Sequence, residues 1–352
     1  MDNPSSTLEI VHTKTVVSSI VLDASWPEKI LALASRRVVV VDAALGQWAS
    51  WVADRIKTDT VLSLSISEKG KSLATVQKVY EWFGRTGVMR DTLVVGVGGG
   101  VLTDLVGYAA ATYLRGLPFA AVPTSLLAQV DAAIGGKVGV NTPWGKNLVG
   151  AFHPARVVAL EPEFLTTLPL REWRAGLGEV MKSALIHGGW LYDALDTIEL
   201  TGENAALWTP LVKETAKIKV ELVNQDLYED GPRMFLNFGH TIGHALETLL
   251  GYGVLSHGEA VGLGALVELA LSERLRGLDV QVRIRVYRWM RAWGLPTTFP
   301  RLDFSRLWQQ LQGDKKARST GLVWVLLEDV GQPVLVPNIP EDLVRSVIKD
   351  LS

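Results

Sequence analysis

The chain has no cysteine among its 352 residues, and that absence narrows the chemistry open to it. No disulfide can cross-link the fold, no thiolate can act as a nucleophile, and any metal ion must be held by histidine, aspartate or glutamate. Histidine is scarce too, with 6 residues in all. Histidines that stand close together in the sequence are therefore informative.

An excess of charge of one sign is also missing, since 35 basic residues face 37 acidic ones and the net charge is −2. Nucleic-acid surfaces need a basic excess to release the counterions of the phosphates, so we expect no nucleic-acid partner. The most apolar stretch, residues 260–271, is short and contains Glu268, which predicts a buried core helix and no membrane span. The start of the chain lacks a basic segment followed by an apolar one, which favours a cytoplasmic protein.

The first half alternates β-branched runs with helical patterns. Runs at 37–42, 61–66, 92–97 and 119–122 predict strands, whereas 72–83 and 101–115 have apolar residues at helical spacing. Such alternation predicts a doubly wound parallel sheet. After about residue 165 helical periodicity dominates, with weak strand signals only at 322–327 and 333–336. We therefore predict an α/β domain over 1–165 and an all-α domain over 166–352.

Three glycines, Gly98 to Gly100, follow the third predicted strand and precede a helix. Glycine lets a backbone approach an anion, and the free N–H groups of a helix start can bind it. A tight turn without a ligand explains the pattern equally well, because it is not G-x-G-x-x-G. Asp104, in the first turn of that helix, could cap the helix or bind a ligand hydroxyl. Asp42, at the end of its own strand, could accept a hydrogen bond from a ribose.

Four residues of the second half suggest a metal site. His240 and His244 are four apart, so they share a helix face, and His257 begins the following helix. Glu179 lies among apolar residues, where an acid needs a cation or a metal as partner. A mixed set of three His and carboxylate ligands is typical of catalytic zinc-like centres. The spacing leaves open which two histidines bind, and core histidines bonded to backbone are the alternative.

Several basic and amide side chains stand near apolar positions. Lys219 falls on an apolar helical stripe, and Lys182 lies one turn after Glu179. Each alone is more often a solvated surface charge, but together they suggest a pocket for phosphate and carboxylate groups. The other members are Asp131 and Lys137 around Ala-Ala-Ile-Gly-Gly, Lys146 and Asn147 in a loop-rich stretch, Arg233 and Asn237 before His240, and Lys315 after Asp314.

Several sequence motifs that contain these residues resemble those of the dehydroquinate synthase family. They occupy 98–104, 113–116, 122–137 and 145–147 in the first half, and 178–182, 236–245 and 257–261 in the second. The resemblance is dense from about residue 92 to 275 and weak over the first ninety residues. It implies a nucleotide-binding α/β domain, a helical domain and an active site in the cleft between them.

The resemblance also assigns roles by motif position. It implies that Glu179, His240 and His257 hold zinc or cobalt, and that His244 faces the substrate. The remaining substrate positions are Asp131, Lys182, Lys219, Arg233, Asn237 and Lys315, with Lys137, Lys146, Asn147 and Arg115 around the phosphate and carboxylate. The implied NAD contacts are Gly99, Gly100, Asp104, Thr124, Ser125 and Thr167, and, on shorter matches, Asp42, Glu68 and Lys71.

The reaction that the resemblance implies converts 3-deoxy-D-arabino-heptulosonate 7-phosphate to 3-dehydroquinate and phosphate. NAD is reduced and reoxidised within one turnover, phosphate leaves by β-elimination, and an aldol step closes the ring. A homodimer is implied as well, with Arg115 acting across its interface. The alternatives are a related sugar phosphate cyclase, a metal-dependent polyol dehydrogenase that would accumulate NADH, and a non-catalytic nucleotide- or metal-binding protein.

Overall fold

The computed structural model describes residues 17–198, 205–317 and 322–352, and the side chains of residues 205–207 and 314–317 lie outside that description. The first half contains β1 (Ser19–Val21), α1 (Trp26–Leu31), β2 (Arg37–Asp42), α2 (Gln47–Arg55), β3 (Val61–Leu64), α3 (Leu73–Arg85), β4 (Leu93–Gly98), α4 (Gly100–Thr112), β5 (Phe119–Pro123), β6 (Lys137–Thr142), β7 (Gly145–Phe152) and β8 (Val157–Ala159). The second half contains α5 (Leu170–His187), α6 (Gly189–Ala194), α7 (Ala205–Gln225), α8 (His240–Leu250), α9 (His257–Arg276), α10 (Val280–Ala292), α11 (Phe304–Ala317), β9 (Val323–Asp329), β10 (Gln332–Pro337) and α12 (Glu341–Asp350).

The first half is built on a parallel sheet with strand order β1-β8-β5-β4-β2-β3. This confirms the predicted doubly wound α/β fold. The central strand β4 is buried along its whole length, as its continuous apolar run requires. The chain passes outward from β2 to β3 and then returns to β4, so the strand order reverses between β2 and β4. Ligands of such sheets bind at the carboxyl ends of the strands at this reversal.

Strands β6 and β7 form an antiparallel hairpin that the sequence had indicated only as a loop-rich stretch. Its five glycines and asparagines hide the alternation of apolar and polar residues by which a strand is normally recognised. The hairpin packs against α4. Lys146 and Asn147 lie at the start of β7, so the hairpin places two predicted substrate residues beside α4, which begins at the sheet's ligand edge.

The second half is mainly helical but not all-α as predicted, because the weak strand signals at 322–327 and 333–336 form the β9–β10 hairpin, which packs on α9. Two glycines allow its helices to approach unusually closely. A Cβ on Gly258 would lie 2.2 Å from the Ala175 carbonyl oxygen of α5, and one on Gly264 would lie 1.9 Å from the Gly239 carbonyl oxygen before α8. Helix α9 is therefore pressed against both neighbours. No helix of the described residues has the length and hydrophobicity needed to cross a bilayer.

Glu268 is fully buried within α9, as the interpretation of 260–271 as a core helix requires. Its Oε2 accepts a hydrogen bond of 2.5 Å from the backbone N–H of Gly239. Burial raises the pKa of Glu268 well above its usual value of 4.5, although hydrogen bonds from Gly239 and Thr241 act in the opposite direction. The raised pKa favours the neutral acid, whose Oε2 anchors the start of α8.

We expect Glu268→Gln to change how stability depends on pH. Because the pKa is higher in the folded state, the acid's contribution to stability is complete below its unfolded pKa and is lost as pH rises toward the folded one. Glutamine mimics the neutral acid and does not ionise. Relative to the variant, the wild type should lose up to about 1.4 kcal/mol of unfolding free energy per pH unit above about pH 4.5. Denaturant unfolding at pH 5 and pH 8 measures this, and parallel curves for both proteins would contradict it.

Candidate active site

Glu179 of α5 lies against the first residues of two other helices, His240 of α8 and His257 of α9. Its Oε1 is 3.4 Å from Nε2 of His240 and 3.3 Å from Nε2 of His257. Candidate ligand atoms of the three residues lie within 4.8 Å of one another. The close contact of α9 with α5 brings residues that are 78 positions apart in the chain into this cluster.

The hydrogen bonds of the two histidines leave their Nε2 atoms directed at Glu179. Nδ1 of His240 is 3.1 Å from the Phe238 carbonyl, which can only accept, so Nδ1 carries the proton. Nδ1 of His257 is 3.3 Å from Oε2 of Glu247, which orients that ring in the same way. A carboxylate or carbonyl behind a metal-binding histidine is the usual support for such a ligand.

The protonation of the cluster also suits a cation. Burial, with the charge of Lys182, lowers the pKa of His240 well below its usual value, so its ring is neutral. Burial acts to lower the pKa of His257 as well, but hydrogen bonds to Glu179 and Glu247 raise it to about 10. A proton on Nε2 of His257 thus takes the position that a metal ion would occupy. With that proton replaced by a metal ion, two neutral imidazoles and one carboxylate form a donor set suited to zinc or cobalt.

A second group, His244, Glu247 and His257, has ligand atoms within the same 4.8 Å. His244 is exposed, and Glu247 already accepts a 2.9 Å hydrogen bond from Lys146. Lys146 and His257 hold the pKa of Glu247 down to about 2 against the effect of burial. The structure therefore offers a possible metal site with His240 and another with His244. The group with Glu179 and His240 is the better isolated from water.

Two buried lysines lie beside the metal cluster. Lys182 is 2% exposed and forms an ion pair with Glu179, and it lies 4.0 Å from Oδ1 of Asp131. Lys219 of α7 donates to Oδ1 of Asp131 at 2.6 Å and to its backbone oxygen at 2.5 Å. Burial lowers the pKa of Lys219, while attraction to Asp131 opposes the shift. Both ammonium groups are thus buried beside the metal cluster with carboxylate partners, and with so little water around them they interact strongly with any nearby anion.

Arg233 and Asn237 border the same region. Arg233 is 3% exposed and donates to the backbone oxygens of Leu227, at 2.5 Å, and Gly135. Asn237 donates at 2.6 Å to Oε1 of Glu229, whose Oε2 pairs with Lys137. Glu229 was not predicted, and neither was Glu247. Glu247 follows His244 by three residues on one helix face, a spacing that could have been noticed.

The glycine turn has the geometry of a phosphate site. Gly99 precedes the first turn of α4 without a side-chain cap, and Ser125 Oγ lies 3.4 Å from where its Cβ would be. Thr124 donates its backbone N–H to Gly98, so Thr124 and Ser125 after β5 adjoin Gly99 and Gly100 after β4. These residues meet at the carboxyl edge of two neighbouring strands, where nucleotides bind in this fold.

The other predicted NAD contacts are less closely grouped. Asp104 does not cap α4; its Oδ2 accepts from the buried Lys71 at 2.5 Å. Asp42 caps the short turn that follows β2, because its Oδ1 accepts a hydrogen bond from the backbone N–H of Ala44. Thr167 receives a 3.1 Å hydrogen bond from the indole of Trp48.

Two predicted residues are not part of these clusters. Arg115 is exposed at the end of a short turn, with a φ of +65°, and within the described residues no hydrogen bond or ion pair joins it to another predicted site residue. The side chain of Lys315 lies outside the described residues.

Comparison with known proteins identifies the family. The model of the 3-dehydroquinate synthase N-terminal domain matches residues 61–175, and that of the C-terminal domain matches residues 176–317. The curated 3-dehydroquinate synthase of Pelobacter propionicus is 41% identical over 287 residues, which are 81% of this chain and 80% of that protein.

Solved structures of two cyclases are similar over nearly the whole chain. ValA, a 2-epi-5-epi-valiolone synthase from Streptomyces hygroscopicus subsp. jinggangensis with NAD+ and Zn2+ bound, has a TM-score of 0.85 and 27% identity over 98% of this chain and 99% of its own. A 2-deoxy-scyllo-inosose synthase complexed with carbaglucose-6-phosphate, NAD+ and Co2+ has a TM-score of 0.83 and 25% identity over 95% and 96%. The matches of both domain models and of this curated relative show that the chain belongs to the 3-dehydroquinate synthase family.

Proposed function

We propose that the protein converts 3-deoxy-D-arabino-heptulosonate 7-phosphate to 3-dehydroquinate and phosphate. The observation that carries this proposal is the pair of buried lysines, Lys182 and Lys219, placed next to the cluster of Glu179, His240 and His257. A metal-dependent alcohol dehydrogenase needs the cluster but has no need of two desolvated ammonium groups beside it. A substrate with both a phosphate and a carboxylate does need them.

In this proposal Glu179, His240 and His257 hold the divalent metal, and Gly99, Gly100, Thr124 and Ser125 hold the NAD pyrophosphate. When bound, the metal supplies Lewis acidity at a substrate hydroxyl and NAD supplies a transient hydride acceptor. The residues of the chain then bind and orient the substrate. Arg233 and Asn237 border the carboxylate, and His244 faces the substrate from the exposed side of α8.

The cationic groups neutralise the substrate anions and hold one reactive conformer. Lys137, Lys146 and Asn147 are proposed to contact the phosphate that leaves. Asp131 keeps the ammonium groups of Lys182 and Lys219 close together, at 4.0 Å and 2.6 Å. Because the leaving phosphate can itself accept the proton, no further protein base is required.

We further propose that the boundary near residue 165 separates a cofactor domain from a metal and substrate domain. The enzyme is proposed to act in the cytoplasm as a homodimer, with Arg115 reaching the phosphate of the other subunit. The exposure of Arg115 supports this, because a buried or internally paired guanidinium could not serve a neighbouring chain. The nucleotide contacts of Asp42, Glu68, Lys71, Asp104 and Thr167, and the substrate contact of Lys315, belong to the same proposal.

The test is to supply the heptulosonate phosphate with NAD and zinc or cobalt, and to follow phosphate and NADH together. We expect phosphate release with no net NADH. Stoichiometric NADH would indicate a polyol dehydrogenase instead. Faster turnover of sedoheptulose 7-phosphate or glucose 6-phosphate would indicate a cyclase of different specificity, and no turnover of any of them would indicate a binding protein.

A further inference from the structure

Asn141 lies near the end of β6, where the hairpin meets residues 68–72. We call residues 68–72 the cofactor loop, because it holds Glu68 and Lys71, and residues 145–147 the phosphate turn. The backbone N–H of Asn141 donates at 2.8 Å to the Lys71 carbonyl. Ser72 and Asn141 also form an isolated parallel bridge. The hairpin is therefore attached to the cofactor loop at Asn141.

The side chain of Asn141 joins the two segments. Its Nδ2 donates to Oε1 of Glu68 at 2.8 Å and to the Glu68 carbonyl at 3.0 Å. Its Oδ1 accepts a 3.0 Å hydrogen bond from the backbone N–H of Asn147. These bonds need one group that donates and accepts at once, which an amide can do and a carboxylate cannot.

Lys71 makes a second connection between the same segments. Its buried Nζ donates at 2.5 Å to Asp104 and at 2.6 Å to Oδ1 of Asn147. Asn147 has a φ of +53°, so its backbone holds a conformation that non-glycine residues seldom adopt and that neighbouring contacts must support. The phosphate turn is thus supported from the cofactor side by Asn141 and Lys71.

We propose that Asn141 is a positioning residue that couples NAD binding to binding of the substrate phosphate. The inference rests on the proposed function, which assigns Glu68 and Lys71 to NAD and Lys146 and Asn147 to the phosphate. A ligand that orders the cofactor loop also orders Asn141 and, through it, the phosphate turn, so the second ligand loses less conformational entropy. By linkage, each ligand strengthens the binding of the other by the same factor.

Asn141 is a better test of this coupling than Lys71, because Lys71 is itself assigned to the cofactor. Asn141→Ala removes all the side-chain hydrogen bonds. Asn141→Asp keeps the acceptor for Asn147 but loses both donated bonds and puts a carboxylate against Glu68. Thr142→Val is the matched control: it removes hydrogen bonds to Trp144 and to Gly145 of the phosphate turn, but among the described residues the Thr142 hydroxyl makes none to the cofactor loop.

The experiment titrates NAD into the full-length, metal-loaded protein by calorimetry, with and without saturating inorganic phosphate. We expect phosphate to tighten NAD binding by about fivefold or more in the wild type and in Thr142→Val. In Asn141→Ala and Asn141→Asp the effect should fall below about twofold, under the usual range of allosteric coupling factors. In the steady state, the alanine variant should raise KM for the heptulosonate phosphate more strongly than it lowers kcat.

The possible failures are distinguishable. Undiminished coupling in Asn141→Ala, equal loss of coupling in Thr142→Val, or no coupling in an active wild type would each overturn the role of Asn141 and leave the proposed function intact. A wild-type protein that neither binds NAD nor releases phosphate would overturn the proposed function itself.

Discussion

Replacing Glu179 with glutamine is expected to remove both the bound metal and the phosphate-releasing activity while the fold survives. The carboxylate is the one anionic ligand of the buried cluster and also neutralises Lys182. An amide carries no charge, so nothing offsets the repulsion between a divalent cation and the ammonium of Lys182. We expect kcat/KM to fall by at least about 10³-fold, which corresponds to about 4 kcal/mol. Metal content by mass spectrometry and phosphate release are the measurements.

The control is Glu172→Gln, at an exposed position in the first turn of the same helix. It should keep its metal and activity within about twofold, because surface substitutions rarely exceed ±0.5 kcal/mol. His257→Ala tests the same site from α9 and should behave like Glu179→Gln. A Glu179→Gln protein with full metal content and full activity would refute the ligand assignment. Loss of metal in His244→Ala, with His240→Ala unaffected, would instead favour the exposed group.

Replacing Lys219 with methionine should lower kcat/KM by about 10²–10³-fold, the usual effect of removing one charged donor at a reacting centre. Methionine fills a similar volume and carries no charge, so packing against α5 is largely kept. The variant should still bind metal and NAD, because neither ligand set includes Lys219. Phosphate release, together with metal and NAD binding, checks the expectation.

Stability has to be separated from activity in this variant, since Asp131 would lose its 2.6 Å ion pair with Lys219 and keep the longer one with Lys182, at 4.0 Å. Adding Asp131→Asn should restore the melting temperature without restoring activity. Lys217→Met is the surface control on the same helix, where the side chain is 56% exposed. Wild-type activity in Lys219→Met would exclude a role for this ammonium in substrate binding.

Much of the secondary structure could be predicted because it depends on local patterns. The strand Arg37–Asp42 begins and ends where the sequence indicated, and the helix Leu73–Arg85 lies within two residues of the predicted 72–83. The β6–β7 hairpin could not be recognised, because its glycines and asparagines give no alternation and its strands are stabilised by each other and by α4. The residue types of the site, together with the family resemblance, pointed to a metal and an anionic substrate before any contact was known.

The supporting residues were missed for a different reason. In the sequence Glu229 and Asn141 look like an ordinary surface acid and amide, and only their partners in the fold show otherwise; for Glu247 the spacing from His244 was the one local signal. Glu247 accepts a hydrogen bond from Lys146, 101 residues away, and Asn141 donates one to Glu68, 73 residues away. Asp104 was read as a possible cap, and only the position of Lys71 reveals that it has a charged partner.

The absence of cysteine by itself determined that a metal could be held only by histidine and carboxylates. Periodicity determined local elements such as the strand Arg37–Asp42 and the helix Leu73–Arg85. Tertiary structure alone decided which nitrogen of His240 and His257 faces Glu179, and that two groups of ligands share His257. The physical reason is that the periodicity of apolar residues depends only on residues that are close together in the sequence. The convergence of α5, α8 and α9, in contrast, depends on backbone contacts at Gly258 and Gly264 with segments distant in the chain.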